Sequence, residues 1–129
     1  MFWLAALWFA NEARRIAMGA IGRLTRKHFE QSVLHGVTLV DFDAAWCGPC
    51  RTQKPIINAL KKNYRGIAAV KNINIDENQD IAMYLGIQSI PTIILYKDGR
   101  EMDRFIGVQT AGALTRALKK LIDRPIRLK

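Results

Sequence analysis

The chain has 129 residues, a length that fits one domain of ordinary size and excludes two compact domains. Half of the residues are hydrophobic and 24% are charged, which is typical of a globular protein and excludes a disordered or collagen-like chain. Twenty Lys and Arg against eleven Asp and Glu give a net charge of +9, which favours anionic partners without selecting one class. Two cysteines are too few for a disulfide-stapled secreted scaffold.

The N-terminal segment, residues 1–22, differs in composition from the rest. Its first ten residues are wholly apolar, but they are fewer than the roughly 20 needed to cross a bilayer and lack the basic stretch that precedes a secretory signal core. From about residue 11 to residue 26, apolar residues share one helical face and arginines the other. Three interpretations remain open: an interfacial membrane anchor, a helix packed on the domain or a partner, and an extension from a misplaced start codon.

Helices and strands alternate from Leu24 onward. Thr25 is the predicted N-cap of a helix that runs to His35 and ends at Gly36. Strands are predicted at 37–42, 67–75, 92–96 and 101–106, and further helices at 53–64, 78–85 and 110–122, the first of them containing Pro55 and the last ended by Pro125. Asp98-Gly99 predicts a tight hairpin turn.

This order is a βαβ unit followed by a ββα unit. It predicts an α/β fold with a central mixed sheet and helices on both faces, preceded by an apolar helical extension. The predicted division is an extension at 1–22, a domain at 23–123 and a basic tail at 124–129.

Two cysteines stand where the first strand ends and a helix is expected to begin, in Trp46-Cys47-Gly48-Pro49-Cys50. The unpaired N–H groups and the dipole of a helix N-terminus favour the thiolate, which is the attacking form of cysteine. Cys47, predicted to be exposed at the helix start, is therefore the expected nucleophile, and Cys50, one turn deeper, the resolving thiol. A purely structural disulfide is disfavoured because so short a ring closes little loop entropy. Zinc is disfavoured because the spacing of His28 and His35 does not match the usual ligand pairs.

These residues, together with Val40-Asp41-Phe42 before them, resemble the active site of the thioredoxin family. The resemblance extends to Ser89-Ile90-Pro91-Thr92, similar to the family's cis-proline loop, and to Pro55, Gly99 and Gly107. It covers about Leu24 to Ile122 and implies a thioredoxin fold. It also implies a protein-disulfide reductase that needs no bound cofactor beyond the Cys47–Cys50 pair.

The resemblance also assigns roles to individual residues. Asp41 would accept the proton of Cys50, and Pro91, if cis, would bring the Ile90 backbone beside the cysteines to pair with an extended client. The implied docking surface consists of Trp46, Gly48, Pro49, Ile75, Ile90, Ile106 and Gly107.

The implied partners are client proteins with disulfides and a thioredoxin reductase, with the chain acting as a cytoplasmic monomer. Two alternatives remain: a membrane-attached form with membrane or respiratory clients, and a non-catalytic interaction module. An inserted segment 1–22 would hold the domain at the cytoplasmic face of a membrane. Nucleic-acid binding is not expected, because no base-stacking pattern accompanies the basic charge.

Two positions depart from the family pattern. Asp43 stands where many thioredoxins have an aromatic residue; its carboxylate would either raise the pKa of Cys47 or point into solvent. Asn72 stands where a lysine often accompanies the buried aspartate, and Lys71 is expected to face the other side of the strand.

Overall fold

A mixed four-stranded sheet forms the centre of residues 24–123, the part of the chain that the computed structural model describes. In chain order the elements are α1 (Arg26–Ser32), β1 (Val37–Asp43), α2 (Gly48–Asn63), β2 (Ala69–Asn74), α3 (Gln79–Leu85), β3 (Thr92–Lys97), β4 (Arg100–Ile106) and α4 (Ala111–Ile122). The strand order is β2-β1-β3-β4, in which only β1 and β2 are parallel. The predicted extension at 1–22, the tail at 124–129 and Pro125 lie outside the described residues, so both domain limits stay predictions.

Alternate side chains along β1 point to opposite faces of the sheet and pack into two separate hydrophobic clusters. Val37 and Leu39 face α2 and α4, in a cluster that includes Ile57 and Leu118. Val40 and Phe42 face α1 and α3, in a second cluster built around Phe29 and Ile81. Helices therefore cover both faces of the sheet, as the sequence predicts.

The helix caps and the hairpin follow the sequence closely. Thr25 Oγ1 accepts a hydrogen bond from His28 N at 3.1 Å, and Thr110 Oγ1 accepts one from Ala113 N at 3.1 Å. Asp98 and Gly99 have φ angles of +50° and +84°, the left-handed pair that a tight β-hairpin requires. The predicted Thr25 cap and the predicted hairpin turn are confirmed, whereas the Thr110 cap is an additional finding at the start of the predicted helix 110–122.

The predicted helix at 25–35 is too long, because α1 ends at Ser32. The residues that follow α1 are bound by the hairpin between β3 and β4. Gly99 N donates to Val33 O at 2.9 Å, and Gly36 N donates to Asp98 Oδ1 at 2.8 Å. These partners lie more than 60 positions along the chain, where a local helix pattern cannot register them.

Two other boundaries differ from the prediction. Helix α2 begins at Gly48 rather than Gln53, so that Cys50 lies in its first turn; Pro55 lies inside the helix, as predicted. Strand β2 begins at Ala69 rather than Ile67, because Ile67 N and Ala68 N both donate to Tyr64 O in a turn that follows α2.

Candidate functional site

The cysteines lie at the junction of β1 and α2. Cys47 is the N-cap of α2, and its Sγ accepts a hydrogen bond from Cys50 N at 3.1 Å. Cys47 and Cys50 form a disulfide, with their Cα atoms 5.3 Å apart. The backbone N–H that contacts the sulfur is one of the unpaired donors of the helix N-terminus, so it is already in place to stabilise a thiolate on Cys47.

The exposure predicted for Cys47 is wrong for this oxidised form. Cys47 and Cys50 are each 3% exposed, because the disulfide holds both sulfurs against Ala44, Ile75 and Ile90. The neighbouring Trp46 is 66% exposed, and its Nε1 donates to Asp76 Oδ2 at 2.9 Å. Asp76 was not identified from the sequence, since its contact depends on how the loop after β2 folds back.

The loop before β3 faces Cys47. The Ile90–Pro91 peptide bond is cis, as the resemblance implied, and Ile90 O lies 3.8 Å from Cys47 Sγ. Gly107 N donates to Pro91 O at 2.8 Å, and the φ of +91° at Gly107 favours glycine. This bond ties the end of β4 to the same loop.

Most residues of the predicted docking surface surround the disulfide. Ile106 is 66% exposed and is paired with Thr92, beside Pro91. Gly48 and Pro49 are exposed at the start of α2, and Ile75 and Ile90 are half-buried against the cysteines. The structure thus brings the predicted surface together, while its role in binding stays a prediction.

Asp41 lies on the α2 face of β1 and is fully buried. Its Oδ2 accepts a hydrogen bond from Asn72 Nδ2 at 3.2 Å, and within residues 24–123 its Oδ1 has no hydrogen-bond partner. The pKa of Asp41 is raised from 3.8 to about 7, mainly by burial and also by the charge of Asp43, against the opposing effects of the Asn72 hydrogen bond and the Lys54 charge. A carboxyl with this pKa both accepts and releases a proton near neutrality.

Asp43 is only 8% exposed, so the interpretation that it points into solvent is wrong. It shares the α2 face with Asp41, and its Oδ2 accepts a hydrogen bond from Asn72 Nδ2 at 2.8 Å. Its effect on the pKa of Cys47 stays untested. Lys71 lies on the other face, as predicted, where its Nζ donates to Ser32 O at 3.2 Å.

A polar crevice of about 340 Å³ opens beside Cys50. Its lining consists of Asp43, Ala44, Ala45, Cys50, Arg51, Lys54, Asn72 and Asn74. Asp43, Ala44 and Ala45 contribute only short side chains to this lining. We call this space the Cys50 crevice.

One buried polar residue on α2 was missed by the sequence reasoning. Gln53 is fully buried; its Nε2 donates to Gln109 O at 3.1 Å, and its Oε1 accepts from Gln109 N at 2.6 Å. The two bonds join α2 to the loop between β4 and α4. The signal was present in the sequence: Gln53 shares its helical face with Cys50, Ile57 and Leu60.

Within residues 24–123 the structure contains neither a metal-binding cluster nor a membrane-spanning helix. No group of three or more His, Cys, Asp and Glu residues there is arranged to hold a metal ion. In the same residues no helix has the length and apolar character needed to span a bilayer.

Comparisons with known proteins agree with this geometry. The family model described as Thioredoxin matches residues 20–120. The chain is 39% identical to the thioredoxin of Staphylococcus haemolyticus and 40% identical to that of Staphylococcus aureus, each over 101 residues that cover 78% of this chain and 97% of the relative.

Solved structures give the same result. A mutant thioredoxin from Halobacterium salinarum superposes with a TM-score of 0.71 at 30% identity, covering 80% of this chain and 91% of that one. The thioredoxin of Malassezia sympodialis superposes with a TM-score of 0.70 at 25% identity, covering 78% and 91%. The architecture is the thioredoxin fold, as the sequence predicted. The comparisons give no support to a membrane-attached form.

Proposed function

We propose a reaction cycle for this chain on the premise that it belongs to the thioredoxin family and is a protein-disulfide oxidoreductase. In the proposed direction, the reduced protein transfers two electrons to a disulfide of a client protein. The observation that carries the proposal is the hydrogen bond from Cys50 N to Cys47 Sγ, 3.1 Å long, at the N-terminus of α2. It selects Cys47 as the sulfur whose thiolate is stabilised.

The cycle begins with attack by Cys47. Its thiolate displaces one sulfur of the client disulfide and forms a mixed disulfide between Cys47 and the client. The released client thiolate takes a proton from water. Ile90 O, 3.8 Å from Cys47 Sγ, lies where it can accept a hydrogen bond from a backbone N–H of an extended client strand beside the reacting sulfur.

Docking of the client uses the exposed surface around the disulfide. Trp46 and Ile106 are each 66% exposed, and Gly48, Pro49, Ile75, Ile90 and Gly107 complete the surface. Apolar area removed from water on docking contributes roughly 25 cal/mol per Å² before the costs of association.

Resolution then follows at Cys50. Asp41 takes the proton of the Cys50 thiol, and the resulting thiolate attacks Cys47 Sγ, which releases the client as a dithiol and restores the Cys47–Cys50 disulfide. The pKa of Asp41, raised to about 7 mainly by burial, suits it to this transfer near neutral pH.

The oxidised protein is then reduced again by a thioredoxin reductase. We further propose that the chain acts as a monomer in the cytoplasm, where thiols are kept reduced and a protein-disulfide reductase has its supply of electrons.

Single-cysteine variants test the cycle. With a client protein that carries one accessible disulfide, Cys47→Ser is expected to reduce turnover to the uncatalysed rate. Cys50→Ser, the matched control, is also expected to lose turnover but to accumulate one equivalent of mixed disulfide, measured by mass spectrometry without reductant. Mixed disulfide on Cys47→Ser, through Cys50, would contradict the assigned roles.

A further inference from the structure

The Cys50 crevice contacts the resolving cysteine but not the buried Asp41. Cys50 and Asp43 both line it, whereas Asp41 is fully buried behind them. Asp43 is therefore the carboxylate that lies between Asp41 and the crevice. Since the crevice has a polar lining and a volume of about 340 Å³, it has room for water beside that carboxylate.

Asn72 joins the two carboxylates. Register pairs Asn72 with Asp41 across β1 and β2, and the period of two along a strand places Asp43 on the same face as Asp41. One amide nitrogen, Asn72 Nδ2, then donates to Asp43 Oδ2 at 2.8 Å and to Asp41 Oδ2 at 3.2 Å. A neutral amide adds no compensating charge, so the two carboxylates repel each other when both are ionised.

The charged groups that face this pair come from β1 and α2. Asp43 raises the pKa of Asp41, while Lys54 on α2 lowers it. Arg51, also on α2, lines the crevice and donates from its guanidinium to Ala45 O at 3.2 Å. From β2 the neighbours are the neutral side chains of Asn72 and Asn74.

We propose that Asp43 is a positioning residue for the resolving step. Asp43 relays the proton between Asp41 and water in the Cys50 crevice, while Asn72 holds both carboxylates. The proposal rests on the cycle described above. The Cys50 thiol gives its proton to Asp41, and its sulfur bonds to Cys47 as the bond from Cys47 to the client breaks. The proton then moves from the Asp41 carboxyl to the Asp43 carboxylate, and Asp43 releases it to water, so that Asp41 is ionised again for the next turnover.

A small aromatic disulfide that releases a coloured thiolate tests this with the full chain. Attack by Cys47 releases the first thiolate and resolution by Cys50 the second, so the two steps are measured separately in one reaction between pH 5 and 9. In Asp43→Asn the first phase is expected to stay within about twofold of the unchanged protein. The second phase is expected to slow by about tenfold, with its inflection moved to lower pH because a negative neighbour of Asp41 is gone.

Chemical rescue separates a proton relay from a structural role. Asp43→Ala widens the crevice, and formate added in solution is expected to restore its second phase towards the original rate. The matched control is Asp80→Asn, an exposed carboxylate on α3, which should leave both phases unchanged.

Three results would overturn the inference: an unchanged second phase in Asp43→Asn, an equal slowing of both phases, or no rescue of Asp43→Ala by formate. Failure of the proposed cycle is distinguishable from all three, because the unchanged protein would then release no second thiolate.

Discussion

At the scale of single residues, the buried carboxyl of Asp41 is expected to destabilise the folded protein when it is ionised. Its pKa is about 7 in the folded state, against 3.8 for an unperturbed aspartate. The folded state therefore binds more protons than the unfolded state between these values, and stability falls as pH rises from about 4 to about 7. Above pH 7 the full penalty is present, at most about 4 kcal/mol at roughly 1.4 kcal/mol per pKa unit.

Asp41→Asn is expected to raise the free energy of unfolding of the oxidised protein at pH 8 by a few kcal/mol. At pH 4 the gain is expected to be small, because the carboxyl is protonated in the folded state and about half protonated in the unfolded state, so little of the penalty is present. Denaturant unfolding at the two pH values measures the difference, with Asp80→Asn as the exposed control. An equal change at both pH values would show that Asp41 carries no ionisation penalty.

Residues differ in how far the sequence alone predicts them. Cys47 and Cys50 are predictable because their chemistry depends on a local spacing at the start of a helix. The bridge from Asn72 to Asp41 and Asp43 was not predicted, because it depends on the register between β1 and β2, 29 to 31 positions apart along the chain. Alternation within each strand nevertheless placed Lys71 on the correct face.

At the scale of elements, Gln53 holds α2 against the loop that carries Gly107. Its two hydrogen bonds to Gln109 would both be lost in Gln53→Leu, which keeps the size of the side chain but leaves the Gln109 N–H and carbonyl groups without their partner. A cost of about 1–3 kcal/mol in unfolding free energy is expected. Gln31→Leu, at an exposed position on α1, is the control.

The same variant is expected to weaken client docking, because Gly107 N also binds Pro91 O beside the disulfide. KM for a protein client should therefore rise, while the rate with a small aromatic disulfide stays nearly unchanged. Equal effects on both substrates, or none on stability, would contradict the assignment of Gln53 to this link.

Element boundaries show where local reasoning stops. The Thr25 cap and the Asp98-Gly99 turn were predictable because each is set by a few adjacent residues. The end of α1 was not, because the residues after it bind the distant hairpin.

At the scale of the whole molecule, the order of helices and strands was enough to predict a mixed sheet covered on both faces. The residue pattern of a single strand does not determine which strands pair with it. The order of a βαβ unit followed by a ββα unit, however, restricts the sheet to a few possible topologies. The crevice beside Cys50 was beyond the same reasoning, because its shape depends on three elements that pack together.

The reduction potential of the Cys47–Cys50 pair tests the central claim, that the protein is a disulfide reductase. The full chain is equilibrated with defined ratios of dithiol and disulfide, and free thiols are counted by alkylation and mass spectrometry, which is unambiguous since the sequence has two cysteines. The expected value is about −270 mV, which is characteristic of thioredoxin. A value between about −180 and −120 mV, the range of isomerases and oxidases, would contradict a reducing role.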